Sequence, residues 1–252
     1  MSSPSASGRL RTASDRSAFY ALRPGGWRDL VTLLHPPYTG WHLSYVALGA
    51  AFAPTLHWGR LAAALAAFLL AVGVSAHALD ELQGRPLGTR LSDSALIALA
   101  AAGLVGATGI GVAGLVVVSL TLAPFVAAGV FLVLAYNLEL FGGRFHTDFW
   151  FAAAWGAFPA ATSYWANALS FGVAGTLVTA ACFALSVGQR RLSSPARELR
   201  RRTESVTGRQ RLSDGSVVEI SAERLVSPLD GALHALSLAM MLLACAAVLT
   251  RL

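Results

Sequence analysis

The sequence contains no lysine, so all 19 of its basic residues are arginine. Charged residues of either sign make up only 13% of its 252 positions, whereas hydrophobic residues make up 55%. The mean hydropathy of +0.59 is far above that of a soluble domain, and it predicts an integral membrane protein. We attribute the exclusive use of arginine to a GC-rich genome, and we expect a bacterial source.

Cysteine is scarce, and the N-terminus lacks the apolar segment of a cleaved secretory signal. Cys182 and Cys245 lie within apolar runs, where they behave as small hydrophobic residues and predict neither a disulfide nor a metal site. The Ser- and Arg-rich residues 2–17 predict a disordered cytoplasmic tail. Residues 18–34 carry apolar side chains at helical spacing, and we expect them to lie along the membrane surface.

Long stretches of the chain contain no charge, and their lengths predict the number of membrane spans. A helix needs about 20 apolar residues to cross a hydrocarbon core of about 30 Å. Two uncharged stretches are twice that length, so each must fold as two helices, with turns expected near the glycines at 106–114 and near residues 167–170. The sequence therefore predicts an all-α, polytopic transmembrane bundle of about seven helices, within residues 41–58, 61–79, 94–138, 149–189 and 231–250.

The arginines are distributed unevenly between the loops, and this asymmetry predicts the orientation. Most of them precede the first span or lie in residues 80–93, 139–148 and 190–230. By the positive-inside rule, we expect these regions and the N-terminus to be cytoplasmic and the C-terminus to be outside a cell membrane. The same placement argues against a nucleic-acid partner, despite the net charge of +6. The oligomeric state stays open.

Four segments follow from this topology: residues 1–34 as a tail with a candidate interfacial helix, 35–189 as a six-helix membrane core, 190–230 as a basic cytoplasmic loop, and 231–252 as the final span. In the basic loop, Pro195 predicts the first position of a helix capped by Ser193 or Ser194. Alternation around Asp214 and Gly215 predicts a small hairpin. We expect the loop arginines to contact anionic lipid head groups. Alternatively, the arginines at 200–202 help to hold an anionic substrate.

The second predicted span ends in a group of ionisable residues at the membrane boundary. His77, Asp80 and Glu81 stand at positions i, i+3 and i+4, on one face of a helix. Such groups are candidates for function when they face the interior of a bundle. Carboxylates suit Mg²⁺, which bridges them to substrate phosphates. We therefore predict that all three are catalytic and that Asp80 and Glu81 bind Mg²⁺. Alternatively, both carboxylates form loop salt bridges with Arg85 or Arg90.

Polar residues of two cytoplasmic loops extend this candidate site. The planar guanidinium group of arginine matches phosphate oxygens. If the loops lie side by side, they form a polar cup above an apolar cavity, which would suit a lipid diphosphate. The predicted substrate-binding residues are Arg85, Arg90, Asn137, Arg144, His146 and Asp148. Tyr38 and His42, at the start of the first span, are expected to be interfacial.

In these residues the chain resembles the UbiA superfamily of membrane prenyltransferases. The likeness covers residues 34–189 and implies a polytopic helical fold, with Mg²⁺-assisted transfer from an isoprenyl diphosphate to a lipophilic acceptor among membrane lipids. It rests on the entry His35-Pro36-Pro37-Tyr38-Thr39, on Arg85-Pro86-Leu87 with the following Gly88-Thr89-Arg90-Leu91-Ser92, on Tyr136-Asn137-Leu138, and on Trp155-Gly156-Ala157-Phe158-Pro159.

The chain departs from the family pattern at both acidic motifs. Where the family has N-D-x-x-D-x-x-x-D, residues 77–84 hold only two adjacent carboxylates, and where it has D-x-x-x-D, residues 186–198 hold arginines. Three functions therefore stay open: a UbiA-like prenyltransferase, a metal-dependent enzyme of changed chemistry, and a non-catalytic protein that binds a lipid or partner. The second would use nitrogen and oxygen ligands from His77, Asp80, Glu81, Glu139, His146 and Asp148.

Overall fold

The computed structural model describes residues 18–252, so the predicted tail at residues 2–17 lies outside the described residues. The described chain is helical apart from one short hairpin. Its elements are α1 (Trp27–Leu33), α2 (Pro36–Ala51), α3 (Trp58–Leu82), α4 (Asp93–Val117), α5 (Leu120–Asn137), α6 (the consecutive segments Asp148–Ala152, Ala153–Ala157 and Phe158–Ala168), α7 (Val173–Arg201), β1 (Arg209–Arg211), β2 (Val217–Glu219) and α8 (Ala222–Leu249).

Within residues 18–252, five helices are long and apolar enough to cross a membrane: α3, α4, α5, α7 and α8. Many of their outward side chains are exposed and aliphatic, including Val105, Val116 and Leu242, as lipid contact requires. α2 and α6 occupy the positions of the other two predicted spans, although α2 has only 16 residues. An all-helical membrane protein is therefore supported, and the count of seven spans stays a prediction.

The turn predicted near the glycines at 106–114 is wrong. α4 continues through them to Val117, and the chain turns at residues 118–119. A Cβ added to Gly111 would lie 2.8 Å from Val126 Cγ2 on α5. The glycine therefore serves close packing between helices, a frequent use of small residues in membrane proteins. The second predicted turn is confirmed, because α6 ends at Ala168 and α7 begins at Val173.

The predicted start of a new helix at Pro195 is also wrong, because α7 continues to Arg201. Proline removes the hydrogen bond that would reach the carbonyl of Arg191, but that residue is exposed and water can solvate its backbone. On the opposite face Ser193 and Ala196 are buried. Tertiary packing of this face therefore outweighs the local cost of the proline.

The hairpin predicted around Asp214 and Gly215 is confirmed. β1 and β2 pair antiparallel, with Arg211 opposite Val217. Gly215 has a φ of 86°, in the region that glycine enters without steric cost. The carboxylate of Asp214 accepts a hydrogen bond of 2.8 Å from the backbone N–H of Ser216 and so stabilises the turn.

α2 lies at the centre of the bundle and packs against α6 and α8. Trp41 and Tyr45 on α2 form a buried cluster with Tyr164 on α6 and Met240 on α8. The backbones of α2 and α6 approach closely at Gly49, where an added Cβ would lie 2.2 Å from the carbonyl oxygen of residue 160. This contact fixes the position of α2 against the helix that lines the site described below.

α3 and α6 each contain a π-helical segment, Leu69–Ala76 and Ala153–Ala157. Val72 and Ala76 of the first segment meet Trp155 of the second in one core cluster. A π-helical turn shifts the regular hydrogen-bond ladder and leaves a carbonyl available to a side-chain donor, and such turns are frequent at functional sites.

Candidate functional site

A cavity of about 550 Å³ lies at the end of the bundle where α3, α5 and α7 reach the polar loops. Residues just before α2 and side chains of α2 and α6 complete its wall. The loop after α5 and the end of α3 both line it, as the prediction of a shared polar cup requires. The cavity therefore brings the two predicted sets of polar residues together, although not all of their members.

The basic wall of the cavity comes from α7. Arg190, Arg197 and Arg201 stand at positions i, i+7 and i+11 and so lie on one face of the helix. All three line the cavity, together with Arg200 and Arg202. Residues 200–202 were predicted as an alternative anion-binding group, whereas Arg190 and Arg197 were not predicted. The helical spacing of Arg190 and Arg197 could have indicated that they share a face, but a new helix was predicted to start at Pro195, between them.

Two of these arginines are paired with carboxylates. Arg190 Nε donates a hydrogen bond of 2.6 Å to Asp148, and its guanidinium carbon lies 5.2 Å from the centre of the Phe151 ring. Arg200 donates to both carboxylate oxygens of Asp230, and only 4% of the Arg200 side chain is exposed. Asp148, predicted to bind substrate directly, therefore acts on the cavity through Arg190.

Arg197 differs from these two arginines. It donates a hydrogen bond of 3.3 Å to Ser194 and forms no ion pair among residues 18–252. An arginine has five N–H donors, so most of its capacity is available to a ligand.

Asp80 lies on α3 and lines the same cavity. Within the described part of the chain, its carboxylate makes no hydrogen bond and no ion pair. Arg197 and Arg201 are the cations that act on it most strongly. The Asp80 carboxylate contacts no cation and the Arg197 guanidinium group contacts no carboxylate within the described residues, and both line the cavity.

Glu81 does not line the cavity, in contrast to the prediction that it shares a metal with Asp80. It is 1% exposed and accepts hydrogen bonds from the backbone N–H of Leu87 (2.9 Å), the backbone N–H of Thr89 (2.8 Å) and the hydroxyl of Thr89 (2.8 Å). Consecutive residues of a helix do not face the same side. Glu81 therefore holds the loop between α3 and α4.

All three predicted substrate-binding arginines also lie outside the cavity lining. Arg85 pairs with Asp93, so it does not form the alternative salt bridge with Asp80 or Glu81. Arg90 is exposed, and its backbone N–H donates to Asp29 over 3.1 Å. Arg144 is exposed in the loop after α5. The arginines of α7 take the place that was predicted for these three.

Asn137 and His146, which were predicted to bind substrate, line the cavity, and so does Glu139. His146 donates from Nδ1 to the carbonyl oxygen of Tyr136 over 3.0 Å and stacks on the Tyr136 ring, with 4.5 Å between centroids. Asn137 donates from Nδ2 to the carbonyl oxygen of Val133 over 2.8 Å. Both side chains are therefore anchored by backbone groups and held in one orientation.

Three histidines form a cluster in the cavity wall, of which only His77 was predicted to function. The rings of His77 and His35 are stacked, with 4.0 Å between centroids and 13° between planes. Burial lowers the pKa of His35 well below its ordinary value of 6.5, so its ring is neutral at pH 7. His42 is the third member and lines the cavity, although it was expected to be interfacial.

Two tyrosine hydroxyls adjoin this cluster. Tyr20 forms a hydrogen bond of 2.9 Å with His35 Nδ1, and Tyr38 lines the cavity beside it. Burial raises the pKa of Tyr38 to about 12 and that of Tyr20 well above 10. Both hydroxyls therefore keep their protons at neutral pH. Like His42, Tyr38 was expected to be interfacial, since its aromatic character alone does not distinguish the two positions.

The described residues of the cavity do not form a Mg²⁺ site from protein groups alone. Magnesium prefers octahedral oxygen coordination and is usually held by one or two carboxylates together with water and substrate phosphates. Of the two predicted ligands, only Asp80 lines the cavity. Among the described residues, no three His, Cys, Asp or Glu side chains are placed to hold a metal ion. The cavity instead presents guanidinium groups, which neutralise an anion directly.

Comparison with known proteins found no matching family model, no matching curated protein and no matching solved structure. The resemblance to the UbiA superfamily therefore stays a prediction, based on the motifs of residues 34–189.

Proposed function

We propose that this chain is a membrane prenyltransferase that binds an isoprenyl diphosphate in the cavity and transfers the isoprenyl group to a lipophilic acceptor. The observation that carries the proposal is the row of arginines on α7, opposite Asp80. The same arginines stand where the UbiA pattern has its second acidic motif. In this chain, guanidinium groups neutralise the charge of the diphosphate, a role that the family pattern assigns to Mg²⁺ held by carboxylates.

The pairing of the arginines supports an anionic ligand. Asp148 and Asp230 neutralise Arg190 and Arg200. Three further carboxylates line the cavity with the remaining arginines, those of Asp80, Glu139 and Glu198. Arg197 forms no ion pair among the described residues, so its fork can donate two parallel hydrogen bonds to the phosphate oxygens of a diphosphate.

Apolar and aromatic side chains also line the cavity, namely Val72, Ala76, Tyr136, Phe151 and Trp155. The Phe151 ring lies against Arg190. When the bond between carbon and diphosphate oxygen breaks, its electron pair leaves with the diphosphate, which the arginines stabilise. The allylic cation then faces aromatic rings, which attract cations. A nucleophile of the acceptor forms the new bond and loses a proton.

A non-catalytic protein that binds a lipid diphosphate is the second candidate. The structural role of Glu81 favours it, because only one of the two predicted catalytic carboxylates lines the cavity. For both candidates, we propose that the arginine-rich end faces the cytoplasm of the cell, since the positive-inside rule places arginine-rich loops there.

Binding of labelled geranylgeranyl diphosphate to the purified protein in nanodiscs, in the presence of EDTA, tests the proposal. We expect binding without a divalent cation. Arg197→Ala should weaken it about tenfold or more, since a charged hydrogen bond contributes about 1.5–3 kcal/mol. Arg211→Ala is the matched control, because Arg211 is exposed on β1 and lies outside the cavity. Absence of binding to the unmodified protein would contradict the proposal.

Release of diphosphate distinguishes the two candidates. The transferase releases it when a lipophilic acceptor is supplied, whereas the non-catalytic protein binds the intact ligand and releases none. Arg197→Ala should lower release in parallel with binding, and Arg211→Ala should leave both unchanged.

A further inference from the structure

We propose that His42 and His77 form a hydrogen-bond acceptor site in the wall of the cavity, which binds the O–H or N–H group of a second substrate. This inference rests on the proposed function, because the second substrate is the acceptor of the isoprenyl group. It goes beyond that function by naming the chemical class of the acceptor and the groups that receive its proton.

Backbone carbonyls of the two π-helical segments fix the tautomer of each ring. His42 Nδ1 lies 2.7 Å from the carbonyl oxygen of Trp155, and His77 Nδ1 lies 3.2 Å from that of Gly73. A carbonyl oxygen only accepts, so each Nδ1 carries the hydrogen and donates it. In the neutral ring, each Nε2 therefore has a lone pair and can only accept.

Neither Nε2 atom has a donor in the described part of the chain, although both rings line the cavity. His42 is only 6% exposed. Gln189 also lines the cavity and is 2% exposed, and its Oε1 has no hydrogen-bond partner. Buried acceptors are normally paired with donors. Oε1 of Gln189 is such an acceptor without a partner, and the rings of His42 and His77 line the same space. Together they support a ligand that supplies the donors.

The acceptor site adjoins one end of the arginine wall. Gln189 lies next to Arg190 on α7 and precedes Arg197 by eight residues, or about 12 Å. His42 lies on the second turn of α2. His42 and His77 are close enough to interact electrostatically. A diphosphate at the arginines and a hydroxyl at the histidines therefore place both substrates in one cavity.

This placement gives the acceptor proton a destination. The oxygen or nitrogen of the acceptor forms a bond to the isoprenyl carbon, and the bond from that carbon to the diphosphate breaks with its electron pair on the diphosphate. The proton of the O–H or N–H group passes to Nε2 of His42 or His77. An acceptor whose hydroxyl is methylated has no donor, so it would leave these nitrogens unpaired.

A pair of probes tests the site: 1-naphthol, which has a hydroxyl donor, and 1-methoxynaphthalene, which has none. We expect the full-length protein in nanodiscs to prefer 1-naphthol about tenfold, the effect of one buried hydrogen bond, after correction for partition into empty nanodiscs. In protein labelled with ¹⁵N-histidine, 1-naphthol should shift the Nε2 resonances of His42 and His77, whereas 1-methoxynaphthalene should not.

His42→Asn is the most specific variant, because the asparagine amide can still donate to the carbonyl of Trp155 but lacks the acceptor at the Nε2 position. We expect it to lose the preference for 1-naphthol while binding of geranylgeranyl diphosphate is unchanged. His57→Asn is the matched control, since His57 is exposed at the start of α3 and lies outside the cavity.

Two results would overturn the inference: equal binding of both probes to the unmodified protein, or a preference that survives in both His42→Asn and His77→Asn. Its failure is distinguishable from that of the proposed function. Diphosphate binding without a hydroxyl preference removes only the acceptor site. A hydroxyl preference without diphosphate binding removes only the prenyltransferase assignment.

Discussion

Asp80 and Glu81 are neighbours in sequence, but their substitution should have different consequences. Asp80→Asn and Glu81→Gln make the same chemical change in two environments. The carboxylate of Asp80 lines the cavity without a hydrogen bond, whereas that of Glu81 is buried and accepts three hydrogen bonds from residues 87 and 89. We expect Glu81→Gln to lower stability and Asp80→Asn to change ligand binding alone.

The structure gives the size of the effect at Glu81. The amide introduced by Glu81→Gln keeps one acceptor oxygen and turns an NH₂ group toward at least one buried donor. A buried donor without an acceptor costs about 1–3 kcal/mol. For a chain of this size each kcal/mol shifts Tm by about 2–4 °C, so about 2 kcal/mol lowers it by about 4–8 °C. Glu81→Ala leaves all three donors unpaired, and its Tm should be lower still.

Asp80→Asn should have the opposite profile. It removes a negative charge that faces Arg197 and Arg201, so binding of geranylgeranyl diphosphate in EDTA should become tighter. A head group held through a metal on Asp80 would instead bind more weakly in this variant.

Thermal unfolding in nanodiscs, followed by tryptophan fluorescence, measures the first effect, and binding of the labelled diphosphate measures the second. Similar losses of Tm in Asp80→Asn and Glu81→Gln would refute the distinction between the two carboxylates. Weaker diphosphate binding by Asp80→Asn would refute direct neutralisation by the arginines.

Two further predictions concern packing and pH. Gly49→Ala places a Cβ 2.2 Å from the carbonyl oxygen of Ala160, so overpacking should cost about 1–3 kcal/mol and lower Tm. Gly59→Ala is the control and should leave Tm unchanged, because a Cβ added to Gly59 has no atom within 4 Å. Equal Tm values for the two variants would contradict the close contact at Gly49. Burial lowers the pKa of His35, so the unfolded chain takes up a proton first and stability falls below about pH 6.5. Asparagine tolerates the left-handed φ of 48° at position 35, so His35→Asn should reduce the loss of Tm between about pH 7 and pH 5 without straining the backbone. The control His57→Asn should leave this loss unchanged. Parallel curves of Tm against pH for both variants would contradict the contribution of His35 to the pH dependence.

The sequence by itself determined most of the helical architecture. Uncharged runs such as residues 94–138 must satisfy their backbone groups internally in lipid, so hydropathy and length predict helices there. The hairpin at Asp214 and Gly215 followed in the same way from local turn chemistry. These features depend on neighbours in sequence, which is why they could be predicted. The sequence also predicted a position at the membrane boundary for His77, Asp80 and His146, since polar residues in an apolar chain concentrate at the ends of spans.

The tertiary structure decided which polar residues share a space. Asp80 faces the cavity and Glu81 faces the loop because two successive helical residues point in different directions, and only packing determines which of them points inward. α7 passes through Pro195 because its buried face packs along the bundle, so its arginines reach a site predicted for other loops. His42 became part of that site because a carbonyl of a π-helical turn, contributed by a distant helix, accepts its Nδ1 hydrogen. Such contacts join residues far apart in the chain, and no local pattern encodes them.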